Sequence, residues 1–265
     1  MDFTDVERKT NESSRVIAIL NQKGGVGKST TTINLAAALG EKKNKVLIVD
    51  FDPQGNASSG LGIDKNEIDS SIYDVLLNET DIKDVILESS AKHVYLAPAT
   101  IQLAGAEIEL VSVMAREMQL KNALDEIRDE FDYILIDCPP SLGLLTINAL
   151  TAVDSVIIPI QAEYYALEGV SKLLESIKMV KSKLNKHLEI FGVLITMYDS
   201  RTSLSKQVSE EVRNYFDEKM FKTYIPRTVK LSEAPSYGLP INQYAPLNKG
   251  AIAYKNLAKE VIKRA

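Results

Sequence analysis

A glycine-rich segment between a strand-like run and a helix-like run is the part of the chain best suited to chemistry. It reads NQKGGVGKST over residues 21–30. Glycines let the backbone turn its N–H groups inward around phosphate oxygens, and the start of the following helix adds partial positive charge. Lys28 can reach the β- and γ-phosphates of a nucleotide, the Ser29 hydroxyl suits Mg²⁺, and Thr30 can hydrogen-bond the α-phosphate. The segment therefore predicts a phosphate-binding loop.

The loop departs from the usual spacing GxxxxGK[ST], because Gln22 stands where the first glycine belongs and Lys23 follows it. Two lysines bring more positive charge than one triphosphate with its Mg²⁺ needs from a single subunit. One explanation is that Lys23 reaches phosphates bound by a second copy of the chain, and the alternative is an exposed lysine beside the loop. The predicted nucleotide-binding residues of this loop are Lys23, Gly24, Gly25, Val26, Gly27, Lys28, Ser29 and Thr30.

Aspartates end two other strand-like runs. Asp137 closes the run YILID, and a carboxylate there can hold Mg²⁺ directly or through water. Within VDFDPQGN, Asp52 is the better candidate to orient an attacking water, whereas Asp50 is expected near the outer shell of the metal or near the loop. Phosphoryl transfer needs mainly positioning and charge neutralisation. We therefore predict catalytic roles for Lys23, Lys28 and Asp52. We predict that Ser29, Asp52 and Asp137 bind the metal ion.

Apolar runs that read as strands alternate with helical patterns, and this order determines what can position the polar residues. Strands are predicted at residues 15–21, 45–50, 93–98, 133–137, 155–161, 190–197 and 221–225. Helices are predicted at 28–42, at 101–130 with a break near 112–115, and at 144–152, 166–184, 203–219 and 251–264. This pattern indicates an α/β fold, a doubly wound and mostly parallel sheet with helices on both faces. Because ligands of such sheets bind beyond the carboxyl ends of the strands, the loop and the aspartates are expected to form one site.

Composition sets the class of protein. The chain has 265 residues, of which 45% are hydrophobic and 25% charged, the balance of an ordinary globular protein. We predict an N-terminal tail over residues 1–14 and one domain over residues 15–265. No run approaches the roughly 18 apolar residues of a membrane helix, and the N-terminus lacks the apolar core of a secretory signal. The single cysteine, Cys138, fits a reducing compartment and argues against a disulfide or a cluster held by paired cysteines.

Charge is distributed unevenly along the chain. The net charge is -5, yet residues 201–265 contain 12 Lys and Arg against 6 Asp and Glu. Such asymmetry hints at an anionic partner for the C-terminal part, although on charge alone a solvated helical surface is the favoured explanation.

Six motifs together resemble the ParA/Soj family of chromosome and plasmid partitioning ATPases, which belong to the deviant Walker A class of P-loop proteins. They are KGGVGKST, VDFDPQGNASSGLG, PATIQLAGAEIEL, DYILIDCPPSLGLLTINAL, EYYALEG and IPRTVKLSEAPSYG, and the resemblance runs from about Arg15 to Ala265. It implies hydrolysis of ATP with Mg²⁺, a nucleotide-sandwich homodimer formed on ATP binding, and non-specific binding to double-stranded DNA. It also implies stimulation by a ParB/Spo0J-type partner, no membrane insertion, and a cytoplasmic, nucleoid-associated location in a bacterium.

The resemblance also implies roles for single residues. Lys23 matches the signature lysine that crosses to the partner's phosphates, Asp52 the residue whose loss blocks hydrolysis, and Asp137 the switch aspartate. It places the adenine pocket near Met197 and Pro226, with Arg227 beside them. It matches Arg201 to a DNA-contacting arginine, and the weaker DNA-contact candidates are Lys206, Arg213, Arg227 and Lys230.

Other functions known in the same class of proteins fit this sequence less well. A membrane-associated relative of the MinD type needs a C-terminal amphipathic helix with bulky apolar residues. Residues 251–265 are amphipathic but rich in Ala and without Trp or Phe, so a helix packed on the domain is the favoured interpretation. Iron–sulfur relatives need paired cysteines, which this sequence lacks. A nucleotide-binding adaptor without hydrolysis is disfavoured because Asp52 and both loop lysines are present.

Overall fold

One seven-stranded sheet runs through the residues that the computed structural model describes, 14–77, 79–164 and 166–265, without the Glu168 side chain. Its strands are β1 (Arg15–Ile19), β2 (Val46–Asp50), β3 (Leu87–Glu88), β4 (Val94–Ala97), β5 (Tyr133–Asp137), β6 (Ser155–Gln161) and β7 (Glu189–Thr196). They lie in the order β3-β4-β2-β5-β1-β6-β7. All pairs are parallel except β3 with β4, which confirms the predicted mostly parallel sheet.

Twelve α-helices follow in the same described ranges, joined in places by short 3₁₀ turns. They are α1 (Lys28–Gly40), α2 (Asn56–Gly60), α3 (Ile72–Leu76), α4 (Ile82–Val85), α5 (Leu103–Glu109), α6 (Gln119–Asp125), α7 (Leu144–Ala152), α8 (Glu168–Lys183), α9 (Ser203–Phe216), α10 (Val229–Glu233), α11 (Ile241–Tyr244) and α12 (Lys249–Arg264).

Two apolar cores lie on opposite faces of the sheet, because successive side chains of a strand point to opposite sides. Val16 and Ala18 of β1 belong to the core that includes apolar residues of α5 to α8. Ile17 and Ile19 belong to the other core, with α1 and α12. Helices therefore cover both faces, as predicted.

The C-terminal helix packs on the domain, as the sequence favoured. Leu257, Ala258 and Val261 of α12 are fully buried, and the buried Tyr254 hydroxyl lies 3.2 Å from Thr31 Oγ1 on α1. The last helix of the chain thereby supports the helix that begins at the phosphate loop. Nowhere in the described ranges is a helix both long and apolar enough to cross a membrane.

The central strands end at the same level, and this places the predicted polar residues together. Strand β5 lies between β2 and β1, with Asp137 in register with both Asp50 and Ile19. The glycine-rich loop follows β1, so its residues and the two aspartates meet at one edge of the sheet. The expectation of a shared site is confirmed for these three strand ends.

The prediction of a strand at 221–225 is wrong. The segment has only bridge contacts to β7 through backbone bonds of Phe221 and Ile225, because the amides of Lys222 and Thr223 bond instead to the Glu260 carboxylate, each at 2.8 Å. Strand β3, only two residues long, was not predicted.

The predicted helix over 101–130 is broken near residues 112–115, as expected, and only α5 and α6 remain as α-helices. Extended backbone at Val113 and a positive φ at Ala115 interrupt it. Ser14, the last residue of the predicted tail, is buried and its carbonyl accepts a hydrogen bond from Arg128. The rest of that predicted tail, residues 1–13, lies outside the described residues.

The packing of α12 predicts a measurable contribution to stability. We expect Leu257→Ala to lower the free energy of unfolding by about 2–5 kcal/mol, because it leaves a cavity in a fully buried position. Leu247→Ala is the matched control, since that side chain is 91% exposed and its loss should change the free energy by less than about 0.5 kcal/mol. Urea unfolding of both variants measures the difference, and equal losses would contradict the packing described.

Candidate functional site

An open cavity of about 490 Å³ lies at the edge where β1, β2 and β5 end. Its size is typical of small-molecule sites. Its lining includes the predicted residues Gly24, Gly25, Gly27, Lys28, Ser29, Thr30, Asp52 and Met197. Ile33, Leu231 and Pro235 form an apolar part of the wall. A second cavity, of about 440 Å³, opens where β1, β6 and β7 begin, and none of the described residues that line it is a predicted site residue.

Residues of β6 and β7, the two strands on one side of β1, hold the glycine-rich loop in place. The buried Asn21 side chain donates to Pro159 O of β6 at 2.7 Å and accepts from Lys23 N at 3.0 Å. Thr196 of β7 donates to Val26 O at 2.8 Å. Gly27 has a φ of 90°, a left-handed conformation that favours glycine, and leads directly into α1. Neither Asn21 nor Thr196 was among the predicted site residues, although a polar residue at or just after the end of an apolar strand is a usable signal.

Lys28 lies in the cavity among carboxylates. Its Nζ is 3.4 Å from Lys23 O. Burial lowers the pKa of Lys28, while the charges of Asp137 and Asp52 act in the opposite direction. A buried ammonium held by acidic neighbours is well placed to receive the anionic groups of a ligand.

Asp50 anchors a turn rather than facing the cavity. Its Oδ2 accepts hydrogen bonds from Ser58 N at 2.8 Å and Ser58 Oγ at 2.7 Å. Burial raises the pKa of Asp50 to about 6, although the Ser58 bonds favour the charged form. Ser58 Oγ also accepts from Ala99 N at 3.2 Å, so it joins two loops. Asp52 lines the cavity, as Asp50 does not, and its Oδ1 accepts from Gln54 N at 3.0 Å.

Asp137 has the properties of a residue that holds a metal ion. It is fully buried, and Thr32 Oγ1 donates to its Oδ1 at 3.3 Å. Its Oδ2 has no hydrogen-bond partner among the described residues. Burial raises the pKa of Asp137 well above its usual range, and the Asp50 charge adds to this effect, while the nearby Ser29 hydroxyl opposes it.

These residues fit Mg²⁺. An orphaned carboxylate oxygen beside the Ser29 hydroxyl provides hard oxygen ligands, and a cation would relieve the cost of burying Asp137. In the described ranges, no group of three or more His, Cys, Asp or Glu side chains could hold a metal ion alone.

Four of the predicted nucleotide-site residues do not line this cavity. Val26 is buried and Lys23 is exposed beside the loop. Pro226 forms a bridge with Tyr198, and the Arg227 guanidinium donates to Glu163 Oε1 at 2.8 Å. The predicted adenine pocket is therefore divided, since Met197 lines the cavity whereas Pro226 and Arg227 do not. Leu231, Ser232 and Pro235 line it although the sequence analysis did not single them out.

The predicted DNA-contact residues fall into two groups. Arg213 and Arg227 contact the residues of the ring pair Tyr198 and Tyr224, since Arg213 donates to the Tyr224 hydroxyl at 2.8 Å and Arg227 N donates to Tyr198 O. Arg201 follows Tyr198 by three residues. Lys206 lies on α9, one heptad before Arg213 and exposed like it. Lys230 lies apart on α10, over the Tyr244 ring.

Carboxylates pair with three of these five cations. Arg201 binds Asp199 through two nitrogens, at 2.9 and 2.7 Å, and thereby holds the pKa of Asp199 below its usual range. Arg227 pairs with Glu163, and Lys230 pairs with Glu233 at 2.7 Å. Arg201 is nonetheless 87% exposed, so its guanidinium remains accessible.

Comparison with known proteins gives one consistent group of relatives. A family described as an AAA domain matches residues 14–190. The chain is 58% identical to the sporulation initiation inhibitor protein Soj of Bacillus subtilis, over 93% of this chain and 98% of the relative. It is 51% identical to the chromosome partitioning protein ParA of Myxococcus xanthus, over 97% and 91%, and 49% identical to the chromosome-partitioning ATPase Soj of Treponema pallidum, over 94% and 98%.

Solved structures agree with this fold. A Mycobacterium smegmatis protein described as cobyrinic acid a,c-diamide synthase, with bound ADP and magnesium, has a TM-score of 0.83 at 39% identity and covers 94% of both chains. The cell division ATPase MinD of Pyrococcus furiosus has a TM-score of 0.79 at 30% identity, over 95% of this chain and all of the other.

Ser58 bonds both the Asp50 carboxylate and Ala99 N, and these bonds yield a prediction about stability. We expect Ser58→Ala to lower the free energy of unfolding by about 1–3 kcal/mol, because the buried Asp50 carboxylate loses a donor. Ser59→Ala, in the same helix and exposed, is the matched control and should cost less than about 0.5 kcal/mol. Urea unfolding near neutral pH compares the two, and a Ser58→Ala protein as stable as the control would contradict the anchoring role of Asp50.

Proposed function

The chain belongs to the ParA/Soj family of chromosome-partitioning ATPases, and we propose that it partitions DNA by coupling ATP hydrolysis to a cycle of dimerisation and DNA binding. One observation carries this proposal: a single cavity contains the loop lysine Lys28, the Ser29 hydroxyl and the Asp52 carboxylate, and the buried Asp137 carboxylate near Ser29 has one oxygen without a partner among the described residues. A triphosphate with its cation needs this set of groups.

In the proposed reaction the loop amides and Lys28 bind the phosphates, and Ser29 with Asp137 holds Mg²⁺. Mg²⁺, when bound, neutralises charge that develops on the phosphate oxygens. Asp52 orients a water, whose oxygen bonds to the γ-phosphorus while the bond from that phosphorus to the β–γ bridging oxygen breaks. The products are ADP and inorganic phosphate, with one proton released to solvent.

Dimerisation is proposed from the open face beside the loop. Lys23 is exposed there, and apart from each glycine and its two chain neighbours, no atom of the described residues lies within 4 Å of a Cβ built on Gly24 or Gly25. A second copy can therefore approach the loop backbone closely at these glycines. In such a dimer Lys23 would reach the phosphates held by the partner, which accounts for the second lysine of the loop.

DNA binding is proposed for the basic group around Tyr198 and Tyr224. Lys and Arg contacts to phosphates supply affinity that does not depend on sequence. Because Asp199 and Glu163 partly neutralise Arg201 and Arg227, one subunit should bind weakly. Two subunits joined by ATP would present two such groups to one duplex, and avidity would then raise the affinity of the dimer well above that of one subunit. We further propose a ParB/Spo0J-type protein as the partner that accelerates hydrolysis, and association with the nucleoid as the consequence.

The first test of this function is Asp52→Ala. We expect hydrolysis to fall about 100-fold, equivalent to about 3 kcal/mol of transition-state stabilisation, because the water loses its orienting carboxylate. ATP binding and the ATP-dependent dimer should persist, since Asp52 is not needed to bind phosphate. Phosphate release, ATP titration and light scattering with ATP or ADP measure the three properties.

Lys23→Ala is the complementary variant. It should still bind nucleotide but lose the ATP-dependent dimer and most hydrolysis. A Lys23→Ala protein that dimerises normally with ATP would refute the cross-subunit role, and weak ATP binding by Asp52→Ala would refute the water-orienting role.

The second test concerns DNA. We expect Arg201→Ala to weaken binding about equally for unrelated duplexes and to reduce the slope of log affinity against log salt by about 1 for each arginine lost. Asp199→Asn should strengthen binding, because it removes the carboxylate that pairs with Arg201. Fluorescence anisotropy with ATP, at several salt concentrations, measures both effects.

Lys92→Ala is the control of equal charge change, since Lys92 is exposed at the opposite edge of the sheet, just before β4. Binding that does not depend on salt, a strong preference for one duplex, or equal losses for Arg201→Ala and Lys92→Ala would count against this surface.

A further inference from the structure

We propose that Glu107 is a positioning residue: it fixes the segment that joins Asp137 to α7 and so keeps the Asp137 carboxylate ready for the metal. This inference rests on the proposed role of Asp137 toward Mg²⁺. Glu107 belongs to α5 and precedes Asp137, the last residue of β5, by about thirty residues of sequence.

The contact itself lies at the start of α7. Glu107 Oε1 accepts a hydrogen bond from Leu145 N at 3.4 Å. Gly143, the residue before α7, has no side chain to cap the helix, and the first turn carries no acidic residue. A carboxylate near a helix N-terminus is favourable because unpaired N–H groups and the helix dipole point toward it. Glu107 thus supplies from α5 the cap that α7 lacks.

Gly143 permits this approach. A Cβ added to Gly143 would collide with Glu107 Oε1 and lie 2.8 Å from Glu107 Cδ. The backbone of Gly143 has a φ of -77°, which other residues also adopt, so a side chain here would meet no backbone strain and would instead push the Glu107 carboxylate aside.

The segment between Asp137 and α7 can pass this restraint to the site. It comprises residues 138–143, includes Pro139 and Pro140, and Pro140 lines the nucleotide cavity. Glu107 bonds Leu145 N in the first turn of α7, just beyond the segment, and Thr146 Oγ1 of the same turn donates to Ser141 O within the segment at 2.6 Å. Because two prolines stiffen so short a connection, displacement of its far end will move its near end, where the orphaned oxygen of Asp137 lies.

A purely structural role for Glu107 can be separated from this one with a matched neighbour. Glu109 lies two residues further along α5, is exposed, and bonds the Tyr73 hydroxyl at 2.9 Å rather than α7. Glu109→Ala therefore removes a carboxylate and a hydrogen bond from the same helix without releasing the segment. Glu107→Gln keeps an acceptor oxygen but removes the charge.

The first measurement uses the nucleotide-free protein and needs no activity. Hydrogen–deuterium exchange should rise several-fold across residues 139–147 in Glu107→Ala, rise less in Glu107→Gln, and stay unchanged in Glu109→Ala. The second measurement is the Mg²⁺ concentration that gives half-maximal ATP hydrolysis. We expect it to increase several-fold in Glu107→Ala, with ATP binding in EDTA and the unfolding midpoint no more altered than in Glu109→Ala.

A double-mutant cycle with Gly143→Ala completes the test. The added methyl group should displace Glu107 and raise the Mg²⁺ requirement about as much as Glu107→Ala does. The double variant Glu107→Ala/Gly143→Ala should need no more Mg²⁺ than either single variant, because both changes break one contact. Unchanged exchange over 139–147, an unchanged Mg²⁺ requirement, or additive effects would each overturn the role of Glu107. If instead the wild-type protein failed to hydrolyse ATP, the proposed function would be wrong. The exchange measurement would still test the restraint by Glu107, because it does not depend on hydrolysis.

Discussion

The register of three parallel strands is the constraint on which the site depends. Asp137 lies level with Asp50 on one side and with Ile19 on the other, and backbone bonds continue this alignment beyond the strands, from Phe51 N to Asp137 O and from Cys138 N to Ile19 O. Parallel pairing therefore brings three loops, distant in sequence, to one edge. A shift of one residue in β5 would turn Asp137 toward the opposite face of the sheet and remove it from the loop.

The same register forces charged groups into the interior, and their mutual compensation explains the electrostatics. Asp50 and Asp137 are fully buried and Lys28 nearly so, which is costly unless each charge finds partners. Asp50 is compensated by Ser58, whereas Asp137 retains an oxygen without a partner and Lys28 bonds only a carbonyl of its own loop within the described residues. The charges left incompletely paired are therefore the Asp137 anion and the Lys28 cation. A triphosphate with its bound cation carries both signs, so it can pair with both residues at once.

The local parts of this arrangement could be predicted from sequence, and the distant parts could not. Continuous apolar runs identified six of the strands, and Lys28, Ser29 and Thr30 could be placed because neighbours in a loop stay neighbours in space. The strand expected at 221–225 failed because Glu260, nearly 40 residues later, takes the amides that a strand would have used. Leu231 and Pro235 reach the cavity from about 200 residues beyond the loop, and nothing in their immediate sequence marks them as part of it. The cap from Glu107 is of the same kind, since only the fold brings α5 to α7.

The burial of α12 against α1 has a consequence for the time at which the site can exist during synthesis. The phosphate loop and α1 are translated before the helix that covers α1, because α12 follows them by about 200 residues of sequence. At about 5–20 residues per second, a ribosome needs roughly 10 to 40 seconds to make the chain between them. During that interval the apolar face of α1 lacks its final cover, and Thr31 lacks the Tyr254 hydroxyl. Residues 249–264 must therefore be made and must dock on α1 before the loop rests on its full support.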